Sequence, residues 1–187
     1  MTKRAAADRV MMRKATNDDA VALSRFAARS FQQTFGADSA PSDMEAYLAK
    51  AFGPTVQAAE IADASATIFI AVDESVPGGQ LVGYVRLIKH GATMELKRLY
   101  LDARWQGTGL APIFMGRIHE ECRQAGAERL QLTVWAENHR AIAFYVKTGF
   151  RVTGTETFML GDDDQTDHVM EMAVPSPSAG IRSTDGP

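Results

Sequence analysis

The segment Arg104-Trp105-Gln106-Gly107-Thr108-Gly109 holds the residues of this chain best suited to gripping an anion. Two glycines one residue apart let backbone N–H groups converge with no Cβ in the way, and Arg104 can add a charged donor. The helix expected just after it contributes the unpaired N–H groups and positive dipole end of a first turn. A plain glycine turn between strand and helix explains the same string. A dinucleotide fingerprint does not, because its third glycine position is Pro112, and no P-loop string or GxSxG elbow occurs anywhere in the chain.

A second constellation runs from Asn138 to Phe150 and reads as N-cap, short helix, glycine C-cap and the next strand. Asn138 caps, Phe144 enters the core and Gly149 takes positive φ. Tyr145 on that helix carries a hydroxyl of pKa ~10, protonated at neutral pH and able to protonate a leaving group. Glu95 on a strand is a candidate base, and a salt bridge to a basic neighbour explains it equally well. Asp162, Asp163, Asp164 and Asp167 read as an acidic hairpin tip, either a solvated turn or a device that steers a cation. A carboxylate that attracts an amine also raises its pKa, so steering and proton removal must fall on different residues. His90, His119, His139 and His168 lack metal-ligand spacing and Cys122 stands alone, so no metal is expected.

The elements that must position these groups follow from apolar spacing. Strands are expected over 10–16, 67–72, 81–88, 94–101, 130–135, 150–160 and 168–174, and helices over 20–35, about 43–52, 112–123 and 141–147. Gly53-Pro54 reads as a helix stop. Period-two alternation along 94–101 puts Glu95, Lys97, Leu99 and Leu101 on one face, and Met94, Leu96, Arg98 and Tyr100 on the other.

The whole is one ordinary domain of 187 residues, 45% hydrophobic and 23% charged. Lys+Arg 20 against Asp+Glu 23 gives −3, which argues against a general nucleic-acid binder. The longest uncharged apolar stretch, 64–72, falls far short of the ~20 residues that span a bilayer. With no targeting signal and one cysteine, a cytoplasmic protein is expected, having a loose basic start over 1–9, a domain over 10–174 and a disordered tail over 175–187.

The RxxGxG string between strand and helix resembles the acyl-CoA pyrophosphate motif of the GNAT superfamily of acetyltransferases. Residues 138–150 resemble that superfamily's NxxAxxFYxxxGF segment, at the expected distance downstream. The resemblance covers about residues 10–174. It implies an α/β fold with a single mixed, mostly antiparallel sheet of about six to seven strands, flanked by about four helices. It implies acetyl-CoA as cosubstrate and no metal. Arg104, Gln106, Gly107, Thr108, Gly109, Leu110 and Ala111 would cradle the pyrophosphate, and Asn138 would hydrogen-bond the CoA arm. Backbone groups of Leu99 and Leu101 would pair with the pantetheine as a strand substitute. Tyr145 would be the general acid at the CoA sulfur, and Glu95 stands where several members carry a catalytic glutamate.

Narrower strings, FQQTFG at 31–36, DMEAYLAKAF at 43–52, ELKRLYL at 95–101 and FMLGDDDQTDHVM at 158–170, resemble PaiA-type acetyltransferases, whose described substrates are polyamines. The function so implied is acetyl transfer to a primary amine of a small molecule, a polyamine among the candidates, by direct attack in a ternary complex. Asp162, Asp163 and Asp164 would bind that substrate. A regulatory CoA-binding protein on the same fold, and acetylation of a protein N-terminus or lysine, are the alternatives. RxxGxG, Asn138 and Tyr145 together favour the enzyme. An edge-pairing homodimer is a superfamily habit that the residues themselves do not show.

Overall fold

A computed structural model describes residues 9–36, 41–160 and 163–175. All but the last residue of the basic start, all but the first residue of the tail, and Asp162 lie outside the described residues. The strands are β1 (Val10–Lys14), β2 (Ala66–Asp73), β3 (Gln80–His90), β4 (Thr93–Leu101), β5 (Arg129–Trp135), β6 (Arg151–Leu160) and β7 (Asp163–Ala173). The helices are α1 (Ala20–Phe35), α2 (Pro41–Phe52), α3 (Pro54–Ala62), α4 (Leu110–Gln124) and α5 (His139–Lys147).

All strands lie in one sheet of order β1-β2-β3-β4-β5-β7-β6. Every neighbouring pair is antiparallel except β4 with β5. This is the mixed α/β sheet that the sequence implied. Two cores sandwich it. On one face Leu110, Phe114, Met115, Ile118 and Cys122 of α4 pack over Phe69, Val85, Leu87, Leu130 and Leu132. On the other, Leu23, Phe26, Ala27 and Phe31 of α1 with Met44 and Phe52 of α2 cover Ile68, Ile70 and Tyr84. Cys122 is fully buried, and burial pushes its thiol up to about 11, as suits a small core residue rather than a nucleophile. Among the described residues, no helix is long and apolar enough to cross a membrane.

The expected elements are present with three departures. Gly53-Pro54 ends α2 and also starts α3, because proline at a first helical position loses only an N–H that has no partner there. β1 stops at Lys14 because Thr16 turns the chain in a capping box with Asp19. The Asp19 carboxylate also takes Arg13 at 2.6 Å, a bond that holds its carboxyl down at about 2. β7 begins at Asp163 instead of 168, since Asp163 to Asp167 all find ladder partners in β6. Asp167 is therefore a strand residue and not part of a hairpin tip.

Candidate active site

β4 and β5 pair only where Thr93, Met94 and Glu95 meet Arg129, Leu130 and Gln131. Beyond that point β4 runs on to Leu101 beside β3 while β5 runs to Trp135 beside β7, and the two diverge. The divergence leaves a wedge in the middle of the sheet, with one edge of β4 turned toward it. Backbone N–H and C=O groups on such an edge, Leu99 and Leu101 among them, can receive an extended arm bearing amide groups as an added strand.

Arg86 pairs with Arg98 and Leu87 with Leu96, so Lys97 is an extra residue in β4. The bulge breaks the period of two. Met94 and Leu96 share the α4-side core with Leu99 and Leu101, whereas Tyr100 joins the α1-side core and Arg98 lies over the Phe52 ring there. Glu95 is therefore on the α1 side, opposite Leu99 and Leu101, and not on their face.

The glycine turn lies on the α4 side of the wedge. Asp102 caps a short 3-10 turn, accepting from the Arg104 N–H at 3.0 Å. Its carboxylate also draws the Arg104 guanidinium back at 3.1 and 3.2 Å, leaving that side chain two-thirds exposed. Gly107 (φ 71°) and Gly109 (φ 99°) are left-handed, and a Cβ at either would meet nothing within 4 Å. These glycines are thus required by backbone conformation, not by crowding within the chain. Thr108 Oγ1 donates to the Trp105 carbonyl at 2.6 Å. The first backbone bond of α4 runs from Ile113 to Gly109, so the N–H groups of Leu110 and Ala111 have no helical acceptor.

Arg140 in the first turn of α5 donates to Gln106 Oε1, which joins the two sequence motifs across the wedge mouth. Asn138 caps α5 through Ala141 at 3.2 Å. Tyr145 is buried, its ring 5.5 Å from both Phe144 and Phe150. Burial raises its hydroxyl well above the usual value.

On the α1 side the groups are ionic and aromatic. Glu95 accepts from His90 Nε2 and Lys97 Nζ, both at 3.0 Å. Burial pushes its carboxyl up, but these two partners outweigh burial and leave it below the ordinary range. Glu60 of α3 bridges Arg86 at 3.0 Å and Arg98 at 2.7 Å in a nearly buried cluster. Asp164 is exposed near the end of the β6–β7 hairpin, and Asp163 pairs with Leu160 there. Sequence reasoning had no role for Trp135 or Tyr47, and it grouped Asp167 with the steering tip instead of the strand. Asp167 was recoverable, because counting back in steps of two from Glu171 and Val169 puts it in the strand. Among the described residues, no group of three His, Cys, Asp or Glu side chains is placed to hold a metal.

The model of the acetyltransferase (GNAT) family matches residues 25–150, spanning the wedge, the glycine turn and α5. The chain belongs to the GNAT family of acetyltransferases. The acetyltransferase is 34% identical over 153 residues to an uncharacterized N-acetyltransferase of Mycobacterium tuberculosis, covering 81% of this chain and 96% of that one. It is 32% identical over 163 residues to an uncharacterized N-acetyltransferase of Lactobacillus delbrueckii subsp. lactis, covering 82% and 90%. Among solved structures, PaiA N-acetyltransferase from Thermoplasma acidophilum in complex with coenzyme A superposes with a TM-score of 0.75 at 21% identity, covering 88% of this chain and 98% of that one. At that identity the likeness shows the fold. Family and relatives together make this protein an acetyl-CoA-dependent N-acetyltransferase.

Proposed function

We propose that the acetyltransferase transfers an acetyl group from acetyl-CoA to a primary amine of a small molecule by direct attack in a ternary complex, with polyamines the first acceptors to test. The observation that carries this reading is the wedge itself, with a glycine turn and helix start on one face and carboxylates and aromatic rings on the other. The CoA arm pairs with the free edge of β4 at Leu99 and Leu101. Its pyrophosphate sits on the N–H groups of Gly107 to Ala111, with Arg104, Gln106, Thr108 and Asn138 around it. The acceptor enters from the α1 side, past Asp163 and Asp164.

In the chemical step the lone pair of the neutral amine attacks the thioester carbonyl carbon, the C–S bond breaks, and the departing thiolate takes a proton. Tyr145 supplies it. Its raised pKa keeps the hydroxyl protonated at any working pH, so it is always present to donate a hydrogen bond to charge developing on sulfur, while the cost of a buried tyrosinate makes the proton pass only as the thiolate forms. Glu95 receives the proton lost by the amine. With Lys97 and His90 already on its carboxylate it is a weak base, so the rate leans on the neutral fraction of the amine and climbs with pH. A PaiA N-acetyltransferase and a spermidine N-acetyltransferase from Vibrio cholerae solved with CoA and spermine share the fold at 21% and 18% identity, which makes polyamines a reasonable first panel.

The test is thiol release from acetyl-CoA against primary amines, amino acids and peptides. Release with small primary amines is expected. Tight CoA binding with no release across the panel would overturn the reading in favour of a regulatory CoA-binding protein.

A further inference from the structure

On the α1 side, at the wide end of the wedge, one carboxylate has no structural task. Asp167 on β7 lies directly across from Trp135 on β5 and from Glu156 on β6. Its Oδ1 is buried and has no hydrogen-bond partner among the described residues. Charged groups that reach it come from every side: Glu156 on β6, His168 on β7 and Lys97 on β4. None forms an ion pair with it, and the Lys97 Nζ is committed to Glu95 at 3.0 Å.

Around this carboxylate stands an aromatic wall. Phe35 of α1 meets Trp135 with ring centroids 5.6 Å apart, Phe31 joins Phe35 at 4.5 Å and Tyr47 of α2 at 4.7 Å, and Tyr47 meets Phe158 of β6 edge-on at 5.8 Å. Phe35, Tyr47, Trp135 and Phe158 are each only half-buried, so the wall has an open side. Asp167 is directly across from Trp135, and Phe158 lies two residues along β6 from its partner Glu156, so the strand register sets the carboxylate beside these rings. A buried carboxylate oxygen left unpaired is costly, while a carboxylate beside π-faces is the arrangement that recognises an organic ammonium.

We propose that Asp167, with Tyr47, Trp135 and Phe158, forms a binding subsite for an ammonium group of the acceptor other than the one that is acetylated. This rests on the acetyl-transfer reading given above. The attacking nitrogen must be neutral, and a carboxylate that binds an ammonium raises its pKa, so the group held here is the one that does not react. Asp167 pairs with Trp135, four residues past Gln131 where β4 and β5 part, so it stands at the open end of the wedge. A substrate anchored at Asp167 must therefore carry a second amine on a chain long enough to reach back into the wedge. The acceptor class is a diamine or longer polyamine, not a simple monoamine.

The test compares 1,5-diaminopentane with n-pentylamine in the wild type and in Asp167→Asn. The wild type is expected to favour the diamine by at least about tenfold in kcat/KM, the scale of one charge-assisted contact. In Asp167→Asn that preference collapses through a raised KM for the diamine, while KM for acetyl-CoA and the monoamine rate stay as they were. Thermal unfolding separates this from a structural role. Burial and Glu156 raise the Asp167 carboxyl, so the ionised group opposes folding at neutral pH, and the Asn variant melts no lower than wild type. An undiminished diamine preference in the variant overturns the subsite, as does a wild type with no preference. If no amine is acetylated at all, the function reading fails separately, and binding decides the subsite. Calorimetric titration of 1,5-diaminopentane into the CoA-loaded protein must then be weaker in Asp167→Asn, and equal affinity overturns it.

Discussion

The two faces of the sheet are built from different materials. Under α4 and α5 the core is almost wholly apolar, with Leu110, Phe114, Ile118, Leu130 and Leu132 buried, and the device proposed to face the cosubstrate there is mainly backbone: the left-handed glycines and the opening turn of α4. Under α1, α2 and α3 the sheet carries rings and charges, namely the Glu60–Arg86–Arg98 cluster, Glu95 with its two partners, and Asp167 among four aromatic residues. Backbone recognition suits a cosubstrate that never changes. Side-chain recognition can be altered residue by residue, which suits an acceptor that differs between relatives. The wedge is where the two meet.

Each face can be broken on its own. The largest effect is expected at the meeting point, where Tyr145→Phe removes the proposed donor to sulfur and should slow single-turnover acetyl transfer by roughly 10²–10⁴-fold with KM for acetyl-CoA held within about twofold. A parallel loss of acetyl-CoA affinity would move Tyr145 from acid to cofactor anchor. Next comes the α1 face. Glu60→Gln leaves Arg86 and Arg98 nearly buried without their shared counter-charge and should cost about 3 kcal/mol in denaturant unfolding. KM for acetyl-CoA in that variant should not move. A cost under about 1 kcal/mol would mean that the charges are solvated rather than structural.

On the α4 face Gly109→Ala forces a Cβ onto a residue at φ 99°, which costs about 1–2 kcal/mol and should raise KM for acetyl-CoA. Gly116→Ala is the control within α4, where a Cβ meets nothing and φ is not left-handed. It should raise stability by roughly 0.5–1 kcal/mol and leave KM alone. Matching losses in both would show that the helix, not the turn, governs the cofactor. The smallest effect is expected from Asp164→Asn at the exposed rim. A fall in kcat/KM for a polyamine of no more than about threefold should vanish at 1 M salt, where the screening length is ~3 Å. A loss that survives salt would give Asp164 a direct contact.

The contrast between faces also decides what the sequence could tell. Backbone devices leave short strings, so Gly107, Gly109, Asn138 and Tyr145 were legible together, as was nearly every strand and helix. The α1-side site is assembled from α1, α2, β5, β6 and β7, with no string spanning Tyr47, Trp135 and Asp167. Glu95 was found but put on the wrong face, because alternation counts residues and the unpaired Lys97 adds one that a pattern of two cannot see. Pro54 hid α3 for a related reason, since the same residue can end one helix or begin another.

The three residue pairs between β4 and β5 are also the thinnest joint in a ladder that is otherwise continuous from β1 to β6. On one side of that joint lies a four-stranded block, and on the other a three-stranded block closed by the β6–β7 hairpin. The apolar stripe of α4, the Phe35–Trp135 and Tyr47–Phe158 ring contacts and these few rungs hold them together. In the proposed binding mode an arm laid along Leu99 and Leu101 adds rungs where the ladder has none, so that cofactor binding would splice two half-sheets into one. In hydrogen exchange the amides flanking the wedge, not those of the glycine turn, should gain the most protection, and the two blocks should cease to open separately once acetyl-CoA is bound.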